Sequence, residues 1–96
     1  MRTVELIGKW KKERYFGLPF YSRSARQPFE YSRGNSYTMT VRERRNGHWA
    51  WKVTRSEPMA PEILVNEGKC GTAKRAKQSC IDALRRYINE LYPGSS

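Results

Sequence analysis

In SYTMTVRERRNGHWAWKVTR, Ser36 to Arg55, two alternating runs rich in β-branched and aromatic residues flank an Asn-Gly pair. Alternation with period two is the signature of a half-buried strand, and Asn-Gly between two such runs predicts a β-hairpin. The register is left to the turn, because a slip of one residue sends every side chain to the opposite face. A two-residue loop at Asn46-Gly47 pairs Arg44 with Trp49 and Arg42 with Trp51, which leaves both tryptophans beside arginines and threonines. A three-residue loop, Arg45-Asn46-Gly47 with Gly47 left-handed, pairs Val41 with Trp51 and Met39 with Val53.

The second register is favoured, because it collects Tyr37, Met39, Val41, Trp49, Trp51 and Val53 on one apolar face. Burial gains roughly 25 cal/mol per Å² of apolar surface, which outweighs a small preference for the shorter turn. The other face then carries Thr38, Thr40, Arg42, Arg44, His48, Ala50, Lys52 and Thr54. Those side chains suit phosphates and base edges. In the other register the tryptophans become exposed stacking platforms.

Downstream, SEPMAPE is a proline-broken connector and EILVNE, residues 62–67, reads as a short third strand closed by Gly68 and Gly71. From Thr72 the period becomes helical, with Ala73, Ala76, Cys80, Leu84, Tyr87 and Leu91 on one stripe, widened by Ile81, Ala83 and Ile88. Thr72 is the expected N-cap and Pro93-Gly94 the stop. This helix starts with Lys74, Arg75 and Lys77 in its first turns, against the macrodipole, at a cost of roughly 0.3–1 kcal/mol per exposed charge. Free N–H groups and three cations at one end form a place where a phosphate could lie.

Upstream, residues 9–34 mix Lys9, Lys11, Lys12, Arg14, Arg23, Arg26 and Arg33 with Trp10, Tyr15, Phe16, Phe20, Tyr21, Phe29 and Tyr31, broken by Gly17, Pro19, Pro28 and Gly34. No period of 2 or 3.6 survives those breaks, so the expectation is an irregular basic aromatic arm. Its basic residues follow a phosphate backbone in the functional reading, while its aromatics stack on bases or pack back on the domain. The expected organisation is therefore α+β: an arm over 1–35, a β-β-β-α domain over 36–92 with a three-stranded antiparallel sheet packed on one C-terminal helix, and a tail over 93–96.

The chain has 96 residues with 19 Lys+Arg against 9 Asp+Glu, a formal charge of +10, so a polyanionic partner is expected. No apolar run approaches the ~20 residues of a membrane span, and the N-terminus lacks a secretory signal pattern, so a cytoplasmic location is expected. Cys70 and Cys80 are too few for a disulfide framework; Cys80 belongs to the core and Cys70 to a loop. With one histidine, His48, the chain offers no tetrahedral zinc set, and no cofactor is implied. A single Asp, Asp82, and scattered glutamates supply no paired acid and base, which argues against an enzyme. The size and charge balance are those of small phage-like proteins.

The hairpin, short strand and GTAKRAKQSCIDALRRYI together, about residues 36–92, resemble the three-stranded-sheet-plus-helix DNA-binding domains of the plant APETALA type and the phage integrase arm-binding type. That resemblance implies major-groove contacts from Arg42, Arg44 and Lys52; the acidic residues usual after the helix-start Thr are absent here. Lys74, Ala76 and Lys77, followed by Ala83-Leu84, are locally similar to the last helix of double-stranded-RNA-binding domains, although the helix that family places before its sheet is not evident. The expected function is nucleic-acid binding, with duplex DNA favoured over RNA. The expected contacts are Arg42, Arg44, Lys52, Lys69, Lys74, Arg75 and Lys77, together with Lys11, Lys12 and Arg14 of the arm. Inhibitor-like or adaptor-like docking on an acidic protein surface is the competing class.

Overall fold

The computed structural model describes residues 5–15, 17–26, 36–57 and 59–91. Five strands follow in order, β1 (Glu5–Tyr15), β2 (Leu18–Arg26), β3 (Ser36–Glu43), β4 (Trp49–Ser56) and β5 (Ile63–Cys70), and the chain closes with helix α1 (Ala73–Leu91). The strands form one antiparallel sheet in sequence order β1-β2-β3-β4-β5. This corrects the expected three-stranded sheet and irregular arm, while the α+β class and the C-terminal helix stand.

The first hairpin, in the stretch where an irregular arm is expected, is shaped by two glycines. Tyr15 pairs with Leu18, which leaves a two-residue turn whose second member, Gly17, has φ +80. Such a turn matches the twist of the flanking strands and needs a residue free to adopt positive φ. Gly8, at φ +62, sits where the β1–β2 register shifts between Ile7 and Lys11, so a bulge interrupts the alternation of β1. Pro19 lies near the start of β2, where a missing N–H costs least. The residues expected in the arm at 27–35, and the tail at 93–96, lie outside the described residues.

The β3–β4 ladder pairs Val41 with Trp51 and Met39 with Val53, the register of the three-residue loop. Gly47 has φ +83, its N–H donates to the Arg44 carbonyl at 3.0 Å, and the Arg44 N–H donates to the His48 carbonyl at 2.8 Å. The third strand of the expected domain is longer than residues 62–67: β5 continues through Gly68 to Cys70. Gly68 extends it because Trp51, its partner on β4, lays its ring where a Cβ would be. Cys70 is accordingly a half-buried strand residue rather than a loop thiol, with Sγ 3.4 Å from Ser79 Oγ.

Helix α1 packs on β3, β4 and β5. Its buried stripe, Ala76, Cys80, Leu84 and Ile88, meets Tyr37, Met39, Val41 and Val53 from the sheet. The four-residue spacing keeps those side chains on one line of the helix, and each large one contributes roughly 1.5–3 kcal/mol on burial. Thr72 caps the helix, with its Oγ1 accepting from the Arg75 N–H at 3.2 Å. At the far end the Tyr87 ring meets Tyr37 edge-on at 6.2 Å, and its hydroxyl accepts from Arg55 Nη1 at 2.9 Å. Among the described residues no helix is long and apolar enough to cross a membrane.

Candidate nucleic-acid interface

The helix packs on one face, no described element packs on the opposite face of the sheet, and register determines what that face displays. Side chains directly opposite in antiparallel strands share a face. One row therefore runs Glu13–Phe20–Arg42–Ala50–Lys69 across all five strands, and its neighbour runs Lys11–Ser22–Thr40–Lys52–Glu67. Same-face rows lie ~6.7 Å apart, two strand residues. Lys11, Arg42, Lys52 and Lys69 are all exposed, and they surround the half-buried Phe20, Thr40 and Ala50.

The small Ala50 leaves a hollow between longer neighbours. An open depression of about 690 Å³ follows these two rows and is lined by Phe20, Thr40, Arg42, Arg44, Ala50, Lys52, Glu67 and Lys69, among others. A second depression, about 590 Å³, adjoins it at the hairpin end, where Leu18 and Pro19 face Arg42, Glu43, Arg44, Arg45 and Asn46. Arg42 and Arg44 border both. Exposed hydroxyls of Ser24 and Thr38 supply donors and acceptors among the cations, in a next row that continues through the buried Thr54 to Leu64. A polyanion would find charge and hydrogen bonds on the same surface.

The expected contact residues divide into three groups. Arg42, Arg44, Lys52 and Lys69 come together on the uncovered face, joined by Lys11 from β1. Lys74 and Arg75 are exposed on the first turn of α1, at the end of the domain that also holds Arg44 and Arg45. No acidic residue offsets them in that turn. Lys77 is placed differently: it is half-buried on the helix side, its Nζ 3.8 Å from the centre of the Tyr21 ring and 5.7 Å from that of Trp10. Lys12 also turns to Tyr21, at 6.0 Å, and Arg14, opposite Pro19, shares its side of β1. The three arm cations thus split between two faces as strand alternation requires.

Lys77 explains part of the unusual helix start. The ammonium sits between Tyr21 of β2 and Trp10 of β1, and the Tyr21 ring in turn packs against Trp49 of β4 at 5.9 Å. A cation over a ring face recovers ~0.5–1 kcal/mol, comparable to what its place near the helix N-terminus costs. Sequence reasoning missed Phe20 as a member of the open face. The signal was present in LPFYSRSAR, where Phe20, Ser22 and Ser24 alternate with Tyr21, Arg23 and Ala25 directly after Gly17.

Burial, despite the Lys52 carbonyl as a hydrogen-bond partner, pushes the Cys80 thiol up to about 12, which leaves it protonated. The guanidinium of Arg55 is held charged: burial opposes its charge, but the Tyr87 hydroxyl and the ion-paired Glu57 outweigh that effect. Among the described residues no three of His, Cys, Asp or Glu gather as a metal site would require. Comparison of the chain with protein-family models, with curated proteins and with solved structures finds no match.

Proposed function

We propose that this protein binds nucleic acid in the cytoplasm through the sheet face that α1 leaves uncovered, with phosphates as the main contacts. The observation that carries this reading is the register, which places Lys11, Arg42, Lys52 and Lys69, from four different strands, in two adjacent rows of one face. Each neutralised phosphate releases counterions, so the cations supply affinity and steer the encounter. Lys74 and Arg75 extend the positive field around the hairpin end.

The mode of contact differs from groove insertion. A five-stranded sheet spans four inter-strand gaps of ~4.8 Å, or ~19 Å, whereas the major groove is ~12 Å wide and admits a helix or a two-stranded ribbon. The face is too broad to enter and must lie against the backbone or take a strand laid across it. The tip of the β3–β4 hairpin, with Arg44 and Arg45, is a two-stranded part of this face narrow enough to probe a duplex groove.

Salt titration of binding to labelled DNA and RNA, single-stranded and duplex, tests the proposal. Affinity should fall steeply with salt, and Arg42→Ala, Lys52→Ala and Lys69→Ala should each reduce the slope of log K against log salt by about 0.7 on single strands or about 0.9 on B-DNA. No detectable binding at about 50 mM salt would end the nucleic-acid reading. A protein-docking role has one specific observation in its favour: Ile63 and Leu64 are 46% and 50% exposed on edge strand β5, where another chain could add a strand.

A further inference from the structure

Resting on the nucleic-acid reading above, we infer that the uncovered face holds a single-stranded nucleic acid with one base stacked on Phe20. Three observations converge on this residue. Phe20 is a large aromatic side chain half-buried on that face, presented from the second strand of the sheet. It borders the open depression of about 690 Å³. Its row-mates are Arg42, then Ala50, then Lys69, so a cation stands beside the ring and a small residue leaves free space just beyond it.

These are the components of a stacking platform for single strands: an aromatic surface for a base of any identity and cations that track the backbone. Paired bases keep their faces inside the helix, so a phenyl ring on a broad sheet has nothing to stack on in an intact duplex. A splayed single strand offers both a base face and a flexible backbone. Three inter-strand gaps separate Phe20 from Lys69, ~14 Å, so a strand crossing the row would set its base on β2 and its following phosphates between Arg42 and Lys69. Lys52 and Lys11 flank the path from the adjacent row, and Thr40 offers a hydroxyl beside the ring. The other aromatics of the domain's core region are committed elsewhere, Tyr21 and Trp10 to Lys77 and Trp51 to Gly68.

The test uses the full chain and fluorescein-labelled oligo(dT), oligo(rU) and a hairpin duplex of equal length, read by anisotropy across a salt series. Single strands should bind more tightly than the duplex at equal salt, and the tighter of dT and rU names the polymer. Phe20→Leu, which keeps an apolar filler, should weaken single-strand binding by roughly 5- to 100-fold with the salt slope unchanged, and Phe20→Tyr should retain wild-type affinity. Arg42→Ala should change the slope instead. Melting curves of both Phe20 variants confirm that the loss is not unfolding, and ultraviolet cross-linking of wild-type protein to oligo(dT) should place the adduct on the peptide containing Phe20. Duplex preference, or full single-strand affinity in a folded Phe20→Leu, would overturn the inference while leaving the nucleic-acid reading intact. Failure of the wild type to bind any of the three polymers would remove both.

Discussion

Replacing Gly68 by alanine probes how the β4–β5 edge is built. A methyl at this position would lie 2.8 Å from Cε2, Cζ2 and Nε1 of Trp51, three atoms of one stiff ring. Relaxed carbon contacts need ~3.5 Å, so the indole must retreat by ~0.7 Å or swing off the strand. Gly68 does not have positive φ, so no backbone strain enters the comparison. Overpacking of this kind costs ~1–3 kcal/mol. Expelling the ring costs a similar amount, because losing ~100 Å² of buried indole at ~25 cal/mol per Å² removes ~2.5 kcal/mol. Urea and thermal melts followed by circular dichroism should show a loss of ~1–3 kcal/mol, a fall of roughly 5–20 °C for a domain of this size. Gly71→Ala is the control, since a Cβ there meets nothing within 4 Å, and it should fall within ~0.5 kcal/mol of wild type. In a Trp51→Leu background Gly68→Ala should lose most of its cost. Equal stability of Gly68→Ala and Gly71→Ala would refute the idea that a ring folded over glycine completes this edge.

The helix start separates two kinds of lysine: Lys74→Gln with Arg75→Gln should leave the melting temperature unchanged or raise it, while Lys77→Gln should lower stability by ~0.5–1 kcal/mol through loss of the Tyr21 contact. The same melts decide it, and a stabilising Lys77→Gln would contradict the placement. Tyr87→Phe removes the acceptor from Arg55, whose Nε already lacks a partner, and should destabilise by ~1 kcal/mol without altering oligonucleotide affinity; unchanged urea midpoints would count against that bond. Cys80, raised from 9.0 to about 12, stays neutral in the native state while its unfolded thiol ionises, so its stabilising contribution is complete below pH 9 and declines between pH 9 and 12. Cys80→Ala should flatten that alkaline decline, and native alkylation at pH 8.5 followed by mass spectrometry should label Cys70 ahead of Cys80; the reverse order would contradict the burial of Cys80.

Where local chemistry and burial agree, the residues announce their structure. Asn46-Gly47 between alternating runs marked the hairpin, and segregation of Trp49 and Trp51 from the arginines selected its register, because only one pairing turns both toward the helix side, where they are half-buried. Thr72 marked the cap of α1, and the expected stripe contained Ala76, Cys80 and Leu84 of its buried line, with Ile88 among the residues that widen it. The first hairpin was hidden because its two irregularities are glycines, which read as breaks: Gly8 supplies a bulge that resets the alternation, and Gly17 a tight turn. Gly68 hid the end of β5 for the same reason, since the ring that fills its place comes from another strand. The candidate site was legible in part. Arg42, Arg44 and Lys52 follow from the register of one hairpin, but Phe20, Lys11 and Lys69 join them only through pairings between distant segments. Lys77 carries the same charge as Lys74 and differs only in having Tyr21 and Trp10 beneath it.

Methyl chemical-shift mapping during titration with oligo(dT) tests the face assignment most directly, because successive residues of β3 and β4 point to opposite sides. The account predicts that Thr40 and Ala50 shift with added oligonucleotide, while Met39, Val41 and Val53 on the helix side and Ile81 and Ala83 of α1 change little. Shifts concentrated on α1, with Thr40 and Ala50 unmoved at saturation, would contradict it.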